Sequence, residues 1–448
     1  MRGYLFVLLV AATVTYLTTP AVRRLARRVG GVTPLRERDV HTVPIPRLGG
    51  AAIYFGIAMA MLMASQIRFF EGVFTGRTAY VVLLSAGAVC LLGVLDDLWE
   101  LDAVTKAAGQ ALAAGIMAWQ GIQLVSLPIF GTFIPSRMML IFLTVLAIMV
   151  TINAVNFVDG LDGLAAGITA ISGAAFFVYS YLLARDSSPS DYASLASVIT
   201  AALVGACVGF LPHNFNPARI FMGDSGSMLL GLLMATSTVA ITGTVEPATL
   251  EQAAIVPAFL PLVLPLAVLA LPLIDLLLAI LRRTRAGKMP WQPDKLHLHH
   301  RMLSLGHSHA GAVLILYFWT ATVGFGVALY SLLSPARATL IGGAAVLCAL
   351  ILTVGPRRWR QMAATAVPGG PRITTPGSGP RTATVVVPAE PDLPRAAADP
   401  DLATEPGGTT KPSARQIRSP KAADGRAGDD LSDTHRSGAG VNSGMNGS

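Results

Sequence analysis

The chain has 448 residues, 53% hydrophobic and only 13% charged, with a mean hydropathy of +0.60 and a net charge of +8. A soluble domain carries about 25% charged residues, so this composition excludes a water-soluble globular protein and points to an integral membrane protein. The basic excess gathers in particular loops, where it reports orientation, and nothing in it calls for nucleic acid.

Tyr4 to Pro20 reads as a first membrane span. A cleaved signal peptide fits less well, because the run ends in AVRRLARRVG without a small-residue cleavage pattern and more spans follow. Arg23, Arg24, Arg27, Arg28, Arg36, Arg38 and Arg47 make the next loop strongly basic. The positive-inside rule places that loop in the cytoplasm and the N-terminus outside. Further apolar stretches lie near 48–65, 79–95, 104–120, 136–153, 164–183, 193–211, 226–243, 257–281, 310–331 and 336–355. Each is long enough to cross about 30 Å of hydrocarbon as a helix. The expectation is an all-α polytopic membrane protein of about eleven transmembrane helices, with a cytoplasmic C-terminus. Pro257, Pro261, Pro265 and Pro272 predict a kinked or broken ninth span. After Arg360 the chain turns to Pro, Gly, Ser, Thr, Ala and mixed charge, too polar to offset the entropy of ordering. The domain division is therefore a transmembrane domain, 1–355, and a disordered cytoplasmic tail, 356–448. Cys90, Cys207 and Cys348 fall inside apolar runs, a pattern of small buried residues with no metal or disulfide spacing.

Alternating sides from the N-terminus bring four polar clusters to the cytoplasmic face. The first ends the third span with Asp96 and Asp97. Adjacent carboxylates suit metal binding, general base work or helix capping, and they need a cation nearby. Lys106 supplies that cation or binds phosphate, and Asp102 is the better cap, since it directly precedes the fourth span. The second cluster, NAVNFVDGLDGLAAG from Asn153 to Gly167, sets two amides and two carboxylates among glycines between two apolar runs. Ionisable groups at a membrane boundary mark functional sites by default. A polar turn between helices is the plain alternative. The third, Phe221 to Ser227, opens the eighth span. Its small residues expose helix N-terminal amides that favour anions. Asp224 in the same turn would repel phosphate unless a metal bridges them, which points to a magnesium–phosphate site; an ordinary N-cap is the alternative. The fourth, Lys295-Leu296-His297-Leu298-His299-His300-Arg301, reads as a basic patch for phosphate or nucleotide rather than a zinc site, because cations crowd it and no cysteine joins it. His307 and His309 read as peripheral. Asp275 fits either an ion pair with Arg282 or Arg283 or a helper of the site. Together the clusters suit transfer of a phosphoryl-linked group from a soluble nucleotide to a membrane-bound phosphate.

These clusters resemble those of the polyprenyl-phosphate N-acetylhexosamine-1-phosphate transferases. That superfamily includes bacterial initiators of O-antigen, teichoic acid and arabinogalactan-linker synthesis, the peptidoglycan translocase and the enzyme that starts dolichol-linked glycans. The resemblance covers roughly residues 1–355 with the motifs in family order, and Arg38-Asp39-Val40-His41 with Pro46-Arg47-Leu48-Gly49-Gly50 adds a further signature. It implies that Asp224 binds Mg²⁺ (with Mn²⁺ as a substitute) and that Asn156 helps to hold it. Asp96 takes the position of the proposed base for the lipid phosphate, with Asp97 beside it. Lys106 matches a lysine on the donor pyrophosphate, and Asp159 another nucleotide-site carboxylate. Asp162 and Phe221 fall where the family grips uracil, by hydrogen bond and by stacking. His297, His299, His300 and Arg301 match the loop over the sugar-phosphate.

The implied reaction is attack by a lipid-phosphate oxygen on the β-phosphorus of UDP-GlcNAc, releasing UMP and giving polyprenyl-diphosphate-GlcNAc, the first step of a cell-envelope polysaccharide. A phosphate monoester has a second pKa of about 6, so the acceptor is already mostly ionised and Asp96 positions it more than it deprotonates it. Glu100 stands where the translocases usually carry Lys, and the His-x-His-His-Arg loop is closer to the N-acetylhexosamine branch. Both features favour UDP-GlcNAc over UDP-MurNAc-pentapeptide. Expected partners are UDP-GlcNAc, an undecaprenyl or decaprenyl phosphate and membrane lipids, with a homodimer left open. The expected place is a bacterial cell membrane, multi-pass, with the site on the cytoplasmic face. A secondary transporter would put its charges near the midplane and show repeated halves. A non-catalytic membrane scaffold would leave Asp96, Asn156 and Asp224 unexplained.

Overall fold

The computed structural model describes residues 1–32, 44–124, 127–128, 132–133, 136–187, 193–242, 267, 269–285, 287, 302 and 306–365. The chain divides into two units, Met1–Pro371 and Arg372–Ser448, and the second lies outside the described residues, as does the predicted tail beyond 365. The first unit runs α1 (Arg2–Arg28), α2 (Gly49–Ala64), a 3₁₀ turn (Arg68–Phe70), α3 (Glu71–Phe74), α4 (Thr78–Trp99), α5 (Ala103–Trp119), α6 (Arg137–Val158), α7 (Leu164–Ser187), α8 (Leu195–Asn214), α9 (Gly223–Thr242), α10 (Ala270–Arg285), α11 (His309–Ala328) and α12 (Pro335–Thr365).

The long apolar runs form helices because a helix satisfies all its backbone groups within one segment, as hydrocarbon demands. Eight of these helices are long and apolar enough to cross a membrane, or nine if the bent pair Gly49–Ala64 and Arg68–Phe74 counts as one span. A helix stands at each expected position, the ninth from Ala270 onward only, since residues 243–266 lie outside the described residues. α5 and α10, of 17 and 16 residues, fall short of that length. The described residues bear out the all-α expectation, with one short strand pair outside the helices. Leu127–Pro128 (β1) and Thr132–Phe133 (β2) pair antiparallel between α5 and α6.

Polar side chains start the helices where the sequence supplies them. Asp102 caps α5 by accepting from the Val104 and Thr105 amides, as expected, and Ser136, Ser194 and Ser308 do the same for α6, α8 and α11. α9 is the central element, packed on α2, α4, α6 and α8. Of its span, 83% is buried, against 11% for Pro335–Val354 on α12. Cys90 and Cys207 are buried in the bundle, whereas Cys348 is exposed on α12, against the expectation of burial. α1 lies along α8 with little between the backbones. A side chain at Gly205 or Gly209 would run into the carbonyls of Leu8 and Ala12, the small-residue spacing that lets membrane helices approach closely. At the start of α1, Tyr4 packs edge-on against Phe70 and Phe177 and accepts from the Ser194 amide at 3.0 Å.

Candidate active site

Four helix ends meet at one end of the bundle: the end of α4, the start of α5, the end of α6 and the start of α9. The loop before α9 is set first, by backbone. Phe221 donates to the Pro46 carbonyl at 2.8 Å, and Gly49 and Gly50 donate to the carbonyls of Phe221 and Met222 at 3.0 Å each. The Pro46–Gly50 signature is thus a clamp on the Phe221–Ser227 turn. Gly50 and Gly93 let α2 and α4 press onto that turn, since a Cβ at either would strike the backbone of residues 224–226. Leu48 takes a left-handed φ of 87° to bring the clamp into register.

Asp97 holds the turn from the other side. Its two oxygens accept from the amides of Asp224 and Ser225 at 3.0 and 3.1 Å, a carboxylate at a helix N-terminus where charge and hydrogen bonding both favour it. Two of the amides read as phosphate donors are thus occupied by the chain's own carboxylate, and Asp97 caps α9, where capping of the next helix was one of the uses expected of the Asp pair. The reason is tertiary: α4 ends against α9, which sequence spacing alone did not bring together.

Asp96 is buried beside it, 7% exposed. One oxygen accepts from the Leu101 amide at 2.8 Å, and the other pairs with Lys106 Nζ at 2.9 Å. Lys106 Nζ lies 3.3 Å from Asp224 Oδ2, so one ammonium bridges the two carboxylates. Asp224 Oδ1 accepts from Asn156 Nδ2 at 3.1 Å, and that same nitrogen donates to Ser227 Oγ at 2.8 Å. Asp96, Lys106, Asn156 and Asp224 thus form one connected set.

Asp159, just past α6, is surrounded by charge. Burial pushes its carboxyl up to about 7, the charges of Asp224, Asp97 and Asp162 add to this, and Arg47 opposes it. Asp162 is buried, and its Oδ2 accepts from Asn216 Nδ2 and the Ala218 amide at 3.0 Å each. It anchors the loop that carries Phe221, which takes up an oxygen the resemblance assigned to uracil. Phe221 is half-buried, held through its own backbone. His297, His299, His300 and Arg301 lie outside the described residues. Of the side groups, His307 bonds the Thr353 carbonyl at 3.1 Å between α11 and α12, and Arg283, buried on α10, stacks 5.3 Å over the Phe157 ring beside Asn156.

Three contributors went unassigned in the sequence. Asn214 accepts from the Gly163 amide at 3.1 Å and donates to the Ile220 carbonyl at 3.0 Å, tying the Asp162 turn to the Phe221 loop. Gln110 accepts from Asn153 Nδ2 at 2.9 Å and donates to Met228 Sδ at 3.1 Å. Gln110, Asn153 and Met228 lie one helical turn from Lys106, Asn156 and Asp224 on the same three helices, forming a layer beneath the charged one. The available signal was a buried-type amide four residues after Lys106 inside an apolar run.

Among the described residues no three His, Cys, Asp or Glu side chains gather in a cage for a metal. The donor set nevertheless fits magnesium, which typically takes one or two protein oxygens and completes its shell with phosphate and water. The bridging ammonium of Lys106 shows that the two carboxylates already hold a cation between them.

Residues 79–242, which carry this whole set, match glycosyl transferase family 4. The chain is 43% identical over 361 residues to the decaprenyl-phosphate N-acetylglucosaminephosphotransferase of Mycolicibacterium smegmatis, covering 80% of this chain and 89% of the relative. This chain belongs to that family, the polyprenyl-phosphate N-acetylhexosamine-1-phosphate transferases. The family member of the same name from Mycobacterium tuberculosis is 42% identical over 80% of this chain and 89% of its own. The undecaprenyl-phosphate alpha-N-acetylglucosaminyl 1-phosphate transferase of Haemophilus influenzae is 31% identical, with 68% and 81% covered. The family membership and the helices together make the chain a multi-pass membrane transferase.

Proposed function

We propose that this protein transfers GlcNAc-1-phosphate from UDP-GlcNAc to a polyprenyl phosphate, giving polyprenyl-diphosphate-GlcNAc and UMP. The observation that carries the reading is the junction of Asp96, Lys106, Asn156 and Asp224 at four helix ends, where a lipid phosphate and a soluble nucleotide can both arrive. In the reaction a lipid-phosphate oxygen bonds to the β-phosphorus, and the bond from that phosphorus to the bridging oxygen breaks, leaving UMP.

Asp224 and Asn156 would hold Mg²⁺, or Mn²⁺ in its place, with the oxygen of the Asn156 amide as its ligating end. The ion, when bound, neutralises charge developing on the pyrophosphate. Lys106 binds the donor pyrophosphate from the position it holds between the carboxylates. Asp96, with both oxygens already engaged, acts on the acceptor phosphate through the Lys106 ammonium it holds rather than by removing a proton from it. Asp97 keeps the first turn of α9, and therefore Asp224, in place. Asp159 and Arg47 flank the nucleotide, Phe221 offers a ring to uracil, and Asp162 fixes the loop bearing that ring. The family resemblance assigns His297, His299, His300 and Arg301 to binding of the sugar-phosphate.

We infer an eleven-span topology with the N-terminus outside and the C-terminus inside, which would put this site on the cytoplasmic face of a bacterial cell membrane. Its support is the basic ends of α1 (Arg27, Arg28) and α10 (Arg282, Arg283, Arg285). A homodimer is compatible with this arrangement. The test follows UMP release from UDP-GlcNAc with undecaprenyl or decaprenyl phosphate in detergent. Release that stops with EDTA and in Asp224→Ala is expected; release that persists through both would overturn the metal assignment, and release from UDP-MurNAc-pentapeptide alone would overturn the donor.

A further inference from the structure

We propose that the basic surface where the ends of α1 and α8 meet binds the headgroup of an anionic phospholipid. Three guanidiniums and an imidazole gather there. Arg23 and Arg27 lie one turn apart on α1, on the stripe that also carries Tyr16. His213, in the last turn of α8, sets its ring 4.8 Å from the Tyr16 ring and a ring nitrogen 3.1 Å from the Tyr16 carbonyl. Arg219 folds back onto this helix end, its amide donating to the His213 carbonyl at 2.9 Å. Arg27 and Arg219 are the charged neighbours of Arg23, and Arg219 and Arg23 those of His213.

Among the described residues no carboxylate pairs with any of the four. The Nε of Arg23 is buried without a hydrogen-bond acceptor, and a buried donor left unpaired is costly. Cations drawn together around an orphaned donor lack an anion that accepts hydrogen bonds, the chemistry of phosphate. Topology alone does not account for this gathering. Arg24 and Arg28, exposed on other sides of α1, serve the positive-inside rule equally well without converging on anything.

The surface beside these cations identifies the carrier of that phosphate. Tyr16, Val208 and Phe215 are exposed along the same two helices, an apolar wall on which acyl chains can lie while the headgroup meets the arginines. Basic pockets between membrane helices at the cytoplasmic surface bind such headgroups. The consequence reaches the site described above. Arg219 sits between Ala218, held by Asp162, and Ile220, held by Asn214, so a bound headgroup braces the loop that presents Phe221.

The test uses the full-length protein in neutral detergent, with phosphatidylglycerol and phosphatidylcholine competing for retention in native mass spectrometry. Each arginine near a membrane surface contributes about 1 kcal/mol toward anionic lipid, about five-fold in affinity. Arg23→Gln/Arg219→Gln should therefore weaken phosphatidylglycerol retention about 25-fold, while Arg24→Gln/Arg28→Gln, which removes the same charge, should retain it. Equal losses in the two double variants would reduce the effect to diffuse charge and overturn the site, as would no loss in either. A third arm titrates undecaprenyl phosphate. Weakened acceptor binding in Arg23→Gln/Arg219→Gln with phosphatidylglycerol retention unchanged would assign the basic surface to the acceptor instead. A thermal midpoint near that of the parent protein establishes that both variants are folded, and retention is read without turnover, so failure here is separable from failure of the proposed reaction.

Discussion

Asp97 accepts two amides of α9, whereas Asp224 is reached by the side chains of Lys106 and Asn156. Adjacent in space, the two carboxylates should therefore fail differently when altered. Asp97→Ala uncaps α9 and should lower stability by about 1–2 kcal/mol, seen as an earlier thermal midpoint together with reduced turnover. Asp97→Asn, which keeps one acceptor oxygen for the two amides, should recover part of the midpoint. Asp224→Asn should leave the midpoint near that of the parent protein and lower UMP release by about 10²–10³-fold. Reversed patterns would exchange the two roles. Asp159 gives a pH signature. Because its carboxyl is pushed up to about 7, it holds its proton below that value and is charged above it. Turnover should fall as pH drops through about 7, and Asp159→Asn should flatten that limb. A limb unchanged by the substitution would assign the titration to the acceptor phosphate. Of these residues the sequence made the types legible but not the partners. Asp102 was readable as a cap because it acts on its own helix, while Asp97 acts on a helix 126 residues later, a relation that spacing cannot express.

Between elements, the site depends on how closely three helices approach α9. Gly93 meets the backbone of Asp224 and Ser225, whereas Gly115 on α5 has nothing within 4 Å. Gly93→Ala should cost about 1–3 kcal/mol through overpacking and depress turnover, while Gly115→Ala should be neutral or slightly stabilising. Equal effects would mean that the close approach of α4 to α9 is not required. Gln110→Leu removes the amide beneath Lys106 and leaves Asn153 Nδ2 without that acceptor, a loss of about 1–3 kcal/mol. Turnover should fall with it, since the ammonium of Lys106 loses the layer that registers α5 on α6. The helices themselves were plain from apolar run length, because hydrocarbon permits few other structures. The short strand pair was not, since Leu127–Pro128 and Thr132–Phe133 are too few residues to show an alternating pattern.

For the whole molecule, orientation is the expectation that needs the most direct check. In a background lacking Cys90, Cys207 and Cys348, a cysteine at Glu100 should react with an impermeant maleimide only from the cytoplasmic side, and one at Gln120 only from outside. The opposite labelling would invert the topology and the face of the site. Removal of residues 366–448, which follow α12, should leave turnover intact; its loss in a folded truncation would give the tail a role in the reaction. The reaction class was legible because its residues occur as compact clusters in fixed order, which survive without any knowledge of packing. The clamp of Pro46–Gly50 on the Phe221 loop was not, because backbone hydrogen bonds leave no trace in side-chain type.

The central claim is that the β-phosphate travels with the sugar. UDP-GlcNAc labelled with ³²P at the β-position, incubated with the protein, Mg²⁺ and decaprenyl or undecaprenyl phosphate, separates the possibilities in one extraction. Label in the lipid phase and unlabelled UMP in the water are expected. Label remaining in the water as UDP, with GlcNAc alone on the lipid, would contradict that claim.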